Sequence, residues 1–286
     1  MLLSCPDYTW PLLPHAAVLD LVRALDLDGV DVGFMAGRSH VRPEAVASEG
    51  AEHGASLRAE LDKRGLRAAD VFAIPATDFE SMSVTNPSSA EQERSVDFFS
   101  SAVRFAAALG APGITTLPGT RFPGDTFEDA LSRAVPALSR RVDLAAAAGL
   151  AVSVEPHVGS LIEKPESTHT LLDRVPGLTL TLDHAHFVYS GVPQAEIDEL
   201  LPSARHLQCR PAAPGQLQLP VAEDTIDFDG VVHDLARLGY RGFLAVEFVW
   251  QEWMGCNRVD TVAETALMRD RLRLAQHQTS PVAVFR

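Results

Sequence analysis

The chain has 286 residues, 46% of them hydrophobic, so it can bury one large core or two modest ones. Thirty-eight acidic residues against 24 basic ones leave a formal charge of −14, which repels phosphate backbones and argues against nucleic-acid binding. Three widely spaced cysteines favour reduced thiols, and the sequence has neither a signal-peptide pattern nor about 18 consecutive apolar residues, so we expect a cytoplasmic protein that does not contact a membrane.

Short runs of strand-forming residues recur along the whole chain, and helix-like apolar spacing follows each of them. The predicted strands cover residues 2–5, 30–34, 70–74, 113–117, 151–155, 178–183, 206–209 and 243–248. Several of the helical segments close with a glycine shortly before the next strand, at Gly65, Gly110, Gly149 and Gly239. The pattern is therefore a regular alternation of strands and helices.

Eight such units in about 250 residues or a little more have the size and rhythm of a (β/α)8 barrel. No linker-like stretch or shift in composition divides the chain, so we predict an α/β protein with a single TIM-barrel domain over residues 1–286. A doubly wound open sheet is the rival architecture. It would usually carry a glycine-rich phosphate turn after the first strand, and Cys5-Pro6-Asp7-Tyr8 is not such a turn.

Polar residues collect where the last four strands end, which in a barrel is the face that carries the chemistry. The fifth to eighth strands offer, in order, Glu155 and His157; Asp183, His184 and His186; His206, Gln208 and Arg210; and Glu247. Side-chain alternation turns Asp183 towards the barrel axis and His184 outwards. Carboxylates this close need a positive partner, and a mainly oxygen donor set suits Mn²⁺, Mg²⁺ or Co²⁺ better than Zn²⁺.

The series SVEPH, LDHAHF, RHLQCRPA, EDTIDF and LGYRGFLAVEF, with CPDYTWPLLP and GVDVGF near the start, resembles one known family. This is the sugar phosphate isomerase/epimerase family with a xylose-isomerase-like barrel, which includes ketose 3-epimerases, inosose dehydratases and endonuclease-IV-type nucleases. The resemblance extends over nearly the full chain and is most specific over residues 151–250. It implies a TIM barrel and a small carbohydrate-like substrate, and it leaves a homo-oligomer open.

The resemblance also implies a divalent metal ion bound by a Glu, an Asp, a His and a Glu from the last four strands. Carried over, the metal ligands are Glu155, Asp183 and Glu247, with Gln208 standing where the family has its histidine. A glutamine oxygen is a neutral and weaker donor, so a metal-free site stays open as an alternative. The missing imidazole could also come from His206, His184 or His157, and these replacements stay open too.

The chemistry that the resemblance implies is proton abstraction next to a carbonyl, through an enediolate. Glu155 and Glu247 would remove and return the proton on opposite faces, with His186 as a third catalytic residue. We expect His157, Arg210, Tyr8 and Trp250 to contact the substrate. The reaction is then an isomerisation or epimerisation, but the same site would serve a β-elimination, so a lyase or dehydratase remains an alternative. A metal-free protein with a binding or biosynthetic role is a second one.

Structural roles compete with the functional ones at several positions. Asp183 could cap a helix, although HAHFVYSG offers little helix to cap. We expect His184 to be a hydrogen-bonded core residue and His206 to fill the barrel interior. Arg210 could pair with Asp183 or Glu247 and thereby neutralise a metal-free site, and solvation is the default expectation for Arg38 and His40, which follow the second strand.

Overall fold

A computed structural model describes residues 1–46 and 48–279, and these form one closed barrel of parallel strands. The strands are β1 Leu2–Pro6, β2 Gly29–Met35, β3 Arg67–Ile74, β4 Gly113–Thr116, β5 Ala151–Val154, β6 Leu178–Asp183, β7 Ala204–Cys209 and β8 Phe243–Val246. Each strand pairs with its neighbours in chain order, and β1 closes the ring against β8. The predicted single TIM barrel is confirmed, and the open sheet is excluded because none of these eight strands forms an edge.

Helices surround the barrel and follow the strands in alternation. Within the described residues they are α1 His15–Ala24, α2 Pro43–Val46, α3 Gly50–Arg64, α4 Ser89–Leu109, α5 Phe127–Ala146, α6 Pro165–Arg174, α7 His184–Tyr189, α8 Gln194–Asp198, α9 Phe228–Arg237 and α10 Thr261–Thr279. The predicted domain runs to residue 286, so residues 280–286 of that prediction lie outside the described chain. The same holds for residue 47.

Local sequence explains where the helices begin and end. At the start of α5, the hydroxyl of Thr126 accepts a 3.1 Å hydrogen bond from the Asp129 backbone N–H, and the Asp129 carboxylate accepts one of 2.9 Å from the Thr126 N–H. This reciprocal pair satisfies backbone groups that would otherwise lack partners. Beyond the end of α4, Gly110 adopts φ 80°, a conformation that favours glycine and lets its N–H reach the Ala106 carbonyl at 3.1 Å.

Three of the predicted strands end earlier than expected, among them β4, which stops at Thr116 instead of residue 117. β5 stops at Val154 and β8 at Val246, so Glu155 and Glu247 are each the first residue beyond a strand. Their backbones still continue the ladder, because the Glu155 N–H donates to the Thr116 carbonyl and the Glu247 N–H to the Cys209 carbonyl, both at 3.2 Å. The backbones of Glu155 and Glu247 are therefore held by the same kind of hydrogen bonds as the strands, although both residues lie at the rim.

The barrel interior below the rim is polar. The Nε2 atom of His206 lies 2.6 Å from Oδ2 of Asp31, and the hydroxyl of Ser4 donates to the other oxygen of Asp31 at 2.7 Å. On β6, Thr181 faces inwards, and its Oγ1 lies 2.5 Å from Oγ1 of Thr115. His206 fills the barrel interior as predicted, and Asp31 supplies the partner that a buried imidazole requires.

Cys5, Cys209 and Cys256 are buried and form no disulfide. Among the described helices, none combines the length and the apolar character needed to cross a lipid bilayer.

Candidate active site

Four buried polar side chains meet where β5 to β8 end. Glu155, Asp183, Gln208 and Glu247 are each at most 6% exposed. Asp183 pairs in register with Gln208 across β6 and β7, and Glu155 and Glu247 flank them from the adjacent strands. Neighbouring strands in a barrel end at the same face, so residues that lie far apart in sequence share one small volume.

A cavity of about 710 Å³ opens above these side chains. This volume lies within the range of roughly 300–1,000 Å³ that is usual for small-molecule sites. The predicted site residues found in its wall are Tyr8, Glu155, His157, Arg210, Glu247 and Trp250. The other three predicted site residues, Asp183, His186 and Gln208, are buried and do not belong to that wall.

Arg38 and His40, for which solvation is the default expectation, both line the cavity. The loop after β2 folds over the top of the barrel, where Nη1 of Arg38 donates a 3.1 Å hydrogen bond to Oε1 of Gln251 from the loop after β8. The mouth of the cavity also carries two aromatic rings, Trp250 and Trp253, which are 46% and 38% exposed. The entrance therefore combines cationic and apolar groups.

The guanidinium of Arg210 lies at the centre of the acidic cluster and is 3% exposed. Its Nε donates to Oδ2 of Asp183 at 3.1 Å, and its Nη2 forms a shorter contact with the same oxygen. Nη2 also lies 3.3 Å from Oε2 of Glu247 and 3.0 Å from Nε2 of His186. A single side chain thus bridges two carboxylates, and its pKa is raised because Asp183 and Glu247 more than offset the effect of burial.

Glu247 is oriented by two hydrogen-bond donors on one of its oxygens. The hydroxyl of Tyr8 donates to Oε1 at 3.0 Å, and Nε2 of Gln208 donates to the same atom at 3.1 Å. Oε1 of Gln208 is buried and has no hydrogen-bond partner among the described residues. The amide cannot turn over without facing the Glu247 carboxylate with its own oxygen, so Gln208 acts here as a donor.

The two glutamates at the cavity differ in acidity. Burial, together with the charges of Glu247 and Asp183, holds the pKa of Glu155 well above its usual range. Burial also raises the pKa of Glu247, but only to about 7, because Arg210 and the Tyr8 hydrogen bond favour its ionised form. Of the two groups, Glu155 therefore holds its proton more strongly, and Glu247 is the one that ionises more readily.

His157 and His186, two histidines at this end of the barrel, both have lowered pKa values. Burial, Arg210 and His157 hold the pKa of His186 well below its usual range, and the Val158 N–H lies 3.3 Å from its Nδ1. Burial lowers the pKa of His157 to about 4, and its ring packs against Phe79 with the centroids 4.9 Å apart. Nε2 of His186 lies 3.8 Å from Oε1 of Glu155, within reach of a proton or a bridging ligand.

The donor set nearest to a metal site differs from the predicted one. Glu155, Asp183 and His186 each offer one atom, and these atoms lie within 4.8 Å of one another, so by spacing alone they could hold a metal ion. Glu247 does not belong to this cluster, and Gln208 and Glu247 are engaged with each other in a hydrogen bond, while Glu247 also forms the ion pair to Arg210. Arg210 also contacts both Asp183 and His186, so the cluster does not fit a divalent ion while the guanidinium stays in place.

Two of the three histidines that could replace the family's metal-binding histidine have other partners. His206 pairs with Asp31 inside the barrel, and Nε2 of His184 lies 2.9 Å from Oδ1 of Asp198 on the outer side, as its parity predicted. The expectation that little helix follows Asp183 is wrong: α7 begins at His184, and Oδ1 of Asp183 accepts the Ala185 N–H at 2.9 Å. Asp183 therefore caps a helix with one oxygen and binds Arg210 with the other.

Sequence reasoning missed Phe79 and gave substrate contact by the loop after β2 only the smaller share. Phe79 lies in a long polar segment without periodic apolar residues, so no local signal marked it. Arg38 and His40 did carry a signal, since they follow a strand on the face where barrel sites lie.

Comparisons with known proteins agree with this architecture. None of the curated protein sequences matches the chain. Among solved structures, the chain is similar to a D-tagatose 3-epimerase-like protein at a TM-score of 0.76 and 17% identity, covering 98% of this chain and 100% of that one. It is similar to the probable 3-DHS dehydratase AsbF from Bacillus anthracis at a TM-score of 0.72 and 18% identity, covering 95% and 100%. It is similar to the IOLI protein with a bound zinc atom at a TM-score of 0.74 and 14% identity, covering 99% and 100%.

Identities of this size show a shared fold, and the family assignment comes from the sequence model. The model described as xylose isomerase-like TIM barrel matches residues 19–272, which is most of the chain. The chain belongs to the xylose isomerase-like TIM barrel family.

Proposed function

We propose that the chain is an isomerase or epimerase that moves a proton at a carbon next to the carbonyl of a small sugar, polyol or keto-sugar. The observation that carries this proposal is the pair formed by Glu155 and Glu247. The two buried carboxyl groups line the same cavity, and they follow different strands, β5 and β8. Their pKa values are raised to different extents. Such a difference provides one acid and one base at the same pH.

Glu247 is the base in this proposal. Tyr8 and Gln208 hold its Oε1 through hydrogen bonds of 3.0 and 3.1 Å, and within the described residues Oε2 accepts no hydrogen bond. The C–H bond breaks, the proton goes to Glu247, and the electron pair of that bond forms the C=C bond of an enediolate. The carbonyl π electrons move to its oxygen.

Glu155 completes the reaction. Because burial and the nearby carboxylates raise its pKa well above that of an ordinary carboxyl group, Glu155 is the group that supplies the proton to the opposite face of the enediolate. Delivery to the same carbon gives an epimer, and delivery to the neighbouring carbon gives the aldose–ketose isomer. His186 lies outside the cavity wall, and its Nε2, 3.8 Å from Oε1 of Glu155, places it behind the acid rather than at the substrate.

The substrate class follows from the cavity and is supported by the family. A volume of about 710 Å³ with apolar walls at Phe79, Trp250 and Trp253 suits a monosaccharide-sized molecule, and His157 and Arg210 supply polar contacts. Similar structures include proteins named as epimerases and a probable dehydratase. Metal dependence, which the family resemblance implied, is not part of this proposal because Arg210 occupies the donor cluster.

A lyase is the second candidate, because the raised pKa of Glu155 suits either reaction and one similar structure is a probable dehydratase. A carboxylic acid beside the enediolate can protonate a leaving hydroxyl instead of a carbon. The product of a lyase has the mass of the substrate minus one water, whereas an epimer has the same mass as the substrate.

Solvent exchange tests the proposal across a panel of candidate substrates. Ketopentoses, ketohexoses and keto-sugars are incubated with the chain in D₂O, and deuterium at the carbon next to the carbonyl is followed by NMR, with mass spectrometry for loss of water. We expect exchange with at least one compound, and a loss of roughly 100-fold or more in Glu155→Gln and Glu247→Gln. Glu252→Gln, an exposed glutamate in the loop after β8, is the matched control and should keep wild-type exchange. Equal exchange in all four proteins would refute the roles given to the two glutamates.

A further inference from the structure

We propose that the guanidinium of Arg210 is the resident cation of this site, and that the chain works without a divalent metal. The catalytic part of this inference rests on the proposed function above, whereas the statement about metal binding does not. The proposal departs from the metal site that the family resemblance implies.

The contacts of Arg210 occupy the atoms that a metal ion would need. Of the three donor groups that lie within 4.8 Å of one another, Asp183 and His186 both touch Nη2 of Arg210. An ion about 2 Å from Asp183 Oδ2 and His186 Nε2 would lie beside that nitrogen. Two positive groups would then share one set of donors, and no oxygen would lie between them. The guanidinium and the ion are alternatives.

Both oxygens of Asp183 already have partners. Oδ1 accepts the Ala185 N–H at 2.9 Å and caps α7, while Oδ2 accepts from both Nε and Nη2 of Arg210. An ion at Oδ2, the oxygen on the side of His186, would have to displace the guanidinium. That ion pair is buried, so the displaced guanidinium would lose its partner without gaining water.

Gln208 is the second difference from a metal-binding arrangement. It takes the place of the family's histidine and turns its amide nitrogen towards Glu247 and Tyr8. The reverse orientation would set the amide oxygen against the Glu247 carboxylate. The amide of Gln208 therefore donates a hydrogen bond to Glu247, a predicted metal ligand, and does not offer its own oxygen to a metal ion there. The position that binds the cation in the family thus carries a neutral amide that donates a hydrogen bond to Glu247.

Arg210 can also perform the task of the missing ion. It belongs to the cavity wall, and a guanidinium has five N–H donors, more than its contacts to Asp183, His186 and Glu247 use. As the proton passes from the substrate to Glu247, negative charge develops on the former carbonyl oxygen, and an N–H of Arg210 donates to it. No bond to Arg210 forms, nothing is oxidised, and Glu155 returns a proton to carbon.

Metal binding decides this inference independently of any substrate. Chain purified without chelator is dialysed against Mn²⁺ and, separately, against Zn²⁺ at micromolar concentration, and bound metal is measured by elemental analysis with the thermal midpoint followed in parallel. We expect no stoichiometric metal in the wild type, and the same midpoint with metal or with EDTA. One Mn²⁺ or Zn²⁺ per chain at the cluster, lost in Asp183→Asn, would overturn the proposal.

Removing the guanidinium provides the converse test. Arg210→Met combined with Gln208→His opens the cluster and restores the imidazole, so we expect roughly tenfold or greater gain in Mn²⁺ affinity over wild type. Arg38→Met, which removes an arginine at the mouth, is the control and should gain none. A folded double variant, verified by circular dichroism, that still binds no Mn²⁺ would show that Arg210 is not what excludes the ion. If the double variant does not fold, Gln208→His in the Arg210 background should bind no metal, and metal uptake there would contradict the proposal.

The two proposals fail in different ways. Exchange that EDTA abolishes and Mn²⁺ restores would leave the proposed reaction standing and remove the metal-free site. Absence of metal together with absence of exchange would leave the metal-free site standing and remove the proposed reaction.

Discussion

The hydroxyl of Tyr8 donates a 3.0 Å hydrogen bond to Oε1 of Glu247, which joins the first and last strands of the barrel across 239 residues of sequence. This contact and the neighbouring Arg210 keep the pKa of a fully buried glutamate down to about 7. Without them, burial would hold Glu247 in its neutral form at physiological pH, and the site would lack a base.

Exchange at the substrate carbon should follow a bell-shaped pH profile. The rate rises as pH increases through about 7, where Glu247 loses its proton and becomes the base. It falls again at higher pH, where Glu155 loses the proton that it must donate. The measurement is kcat/KM for deuterium exchange as a function of pH, and a rate independent of pH across both limbs would contradict the acid and base roles.

Tyr8→Phe should shift the acidic limb of that pH profile to higher pH. The hydroxyl stabilises ionised Glu247, so its loss raises the pKa of the carboxyl group, by roughly 0.5 to 1 for a hydrogen bond worth about 1 kcal/mol. The midpoint of the acidic limb is measured from kcat/KM for deuterium exchange as a function of pH. Tyr189→Phe, which removes a hydroxyl outside the cavity, should leave the limb in place, and an unmoved limb in Tyr8→Phe would show that the contact does not tune the base.

Asp31→Asn should destabilise the barrel more at acidic than at alkaline pH. Burial alone would lower the pKa of His206, but Asp31 raises it above its ordinary value. The stabilisation is therefore complete below the unfolded pKa of about 6.5 and is lost as pH rises through the higher folded value. We expect a loss of about 3 kcal/mol in the free energy of unfolding on the acidic side, measured by urea denaturation. Asp173→Asn, at an exposed position, serves as the control, and a loss independent of pH would argue against a charged pair.

Gly54→Ala should destabilise the chain although alanine is the better helix former. A Cβ at Gly54 in α3 would overlap the carbonyl oxygen of Phe105 in α4 and lie 3.1 Å from Cβ of Ala108. Separating the helices should cost about 2 kcal/mol or more, against a gain of about 1 kcal/mol in helix propensity. Urea denaturation measures the difference, with the exposed neighbour Ser56→Ala as control. A stabilised Gly54→Ala would mean that the two helices are not held at this distance.

The sequence pattern predicted the barrel because strand and helix periodicities are local properties of the chain. It also predicted that Glu155, Asp183, Gln208 and Glu247 would gather, since the ends of consecutive parallel strands meet at one face. The ends of β5 and β8 were placed too late, because the residues after Val154 and Val246 remain apolar or ladder-bonded beyond the regular strand.

The charge balance of the site could not be derived in the same way. Arg210 was assigned both to the substrate and, alternatively, to a carboxylate, and its long side chain can reach either. The choice depends on the exact positions of Asp183 and Glu247, which β6 and β8 supply. The short helix after Asp183 was also missed, because its six residues are stabilised by packing and the Asp183 cap rather than by intrinsic propensity.

The sequence by itself thus determined the α/β barrel and the set of acidic groups at the strand ends, because those features follow from periodicity and chain order, and its motifs identified the family. Only the tertiary structure decided which positive group faces the acids, since ion pairing depends on distances of a few ångströms between residues from different strands. At those distances, a guanidinium holds the place that a metal ion would otherwise take.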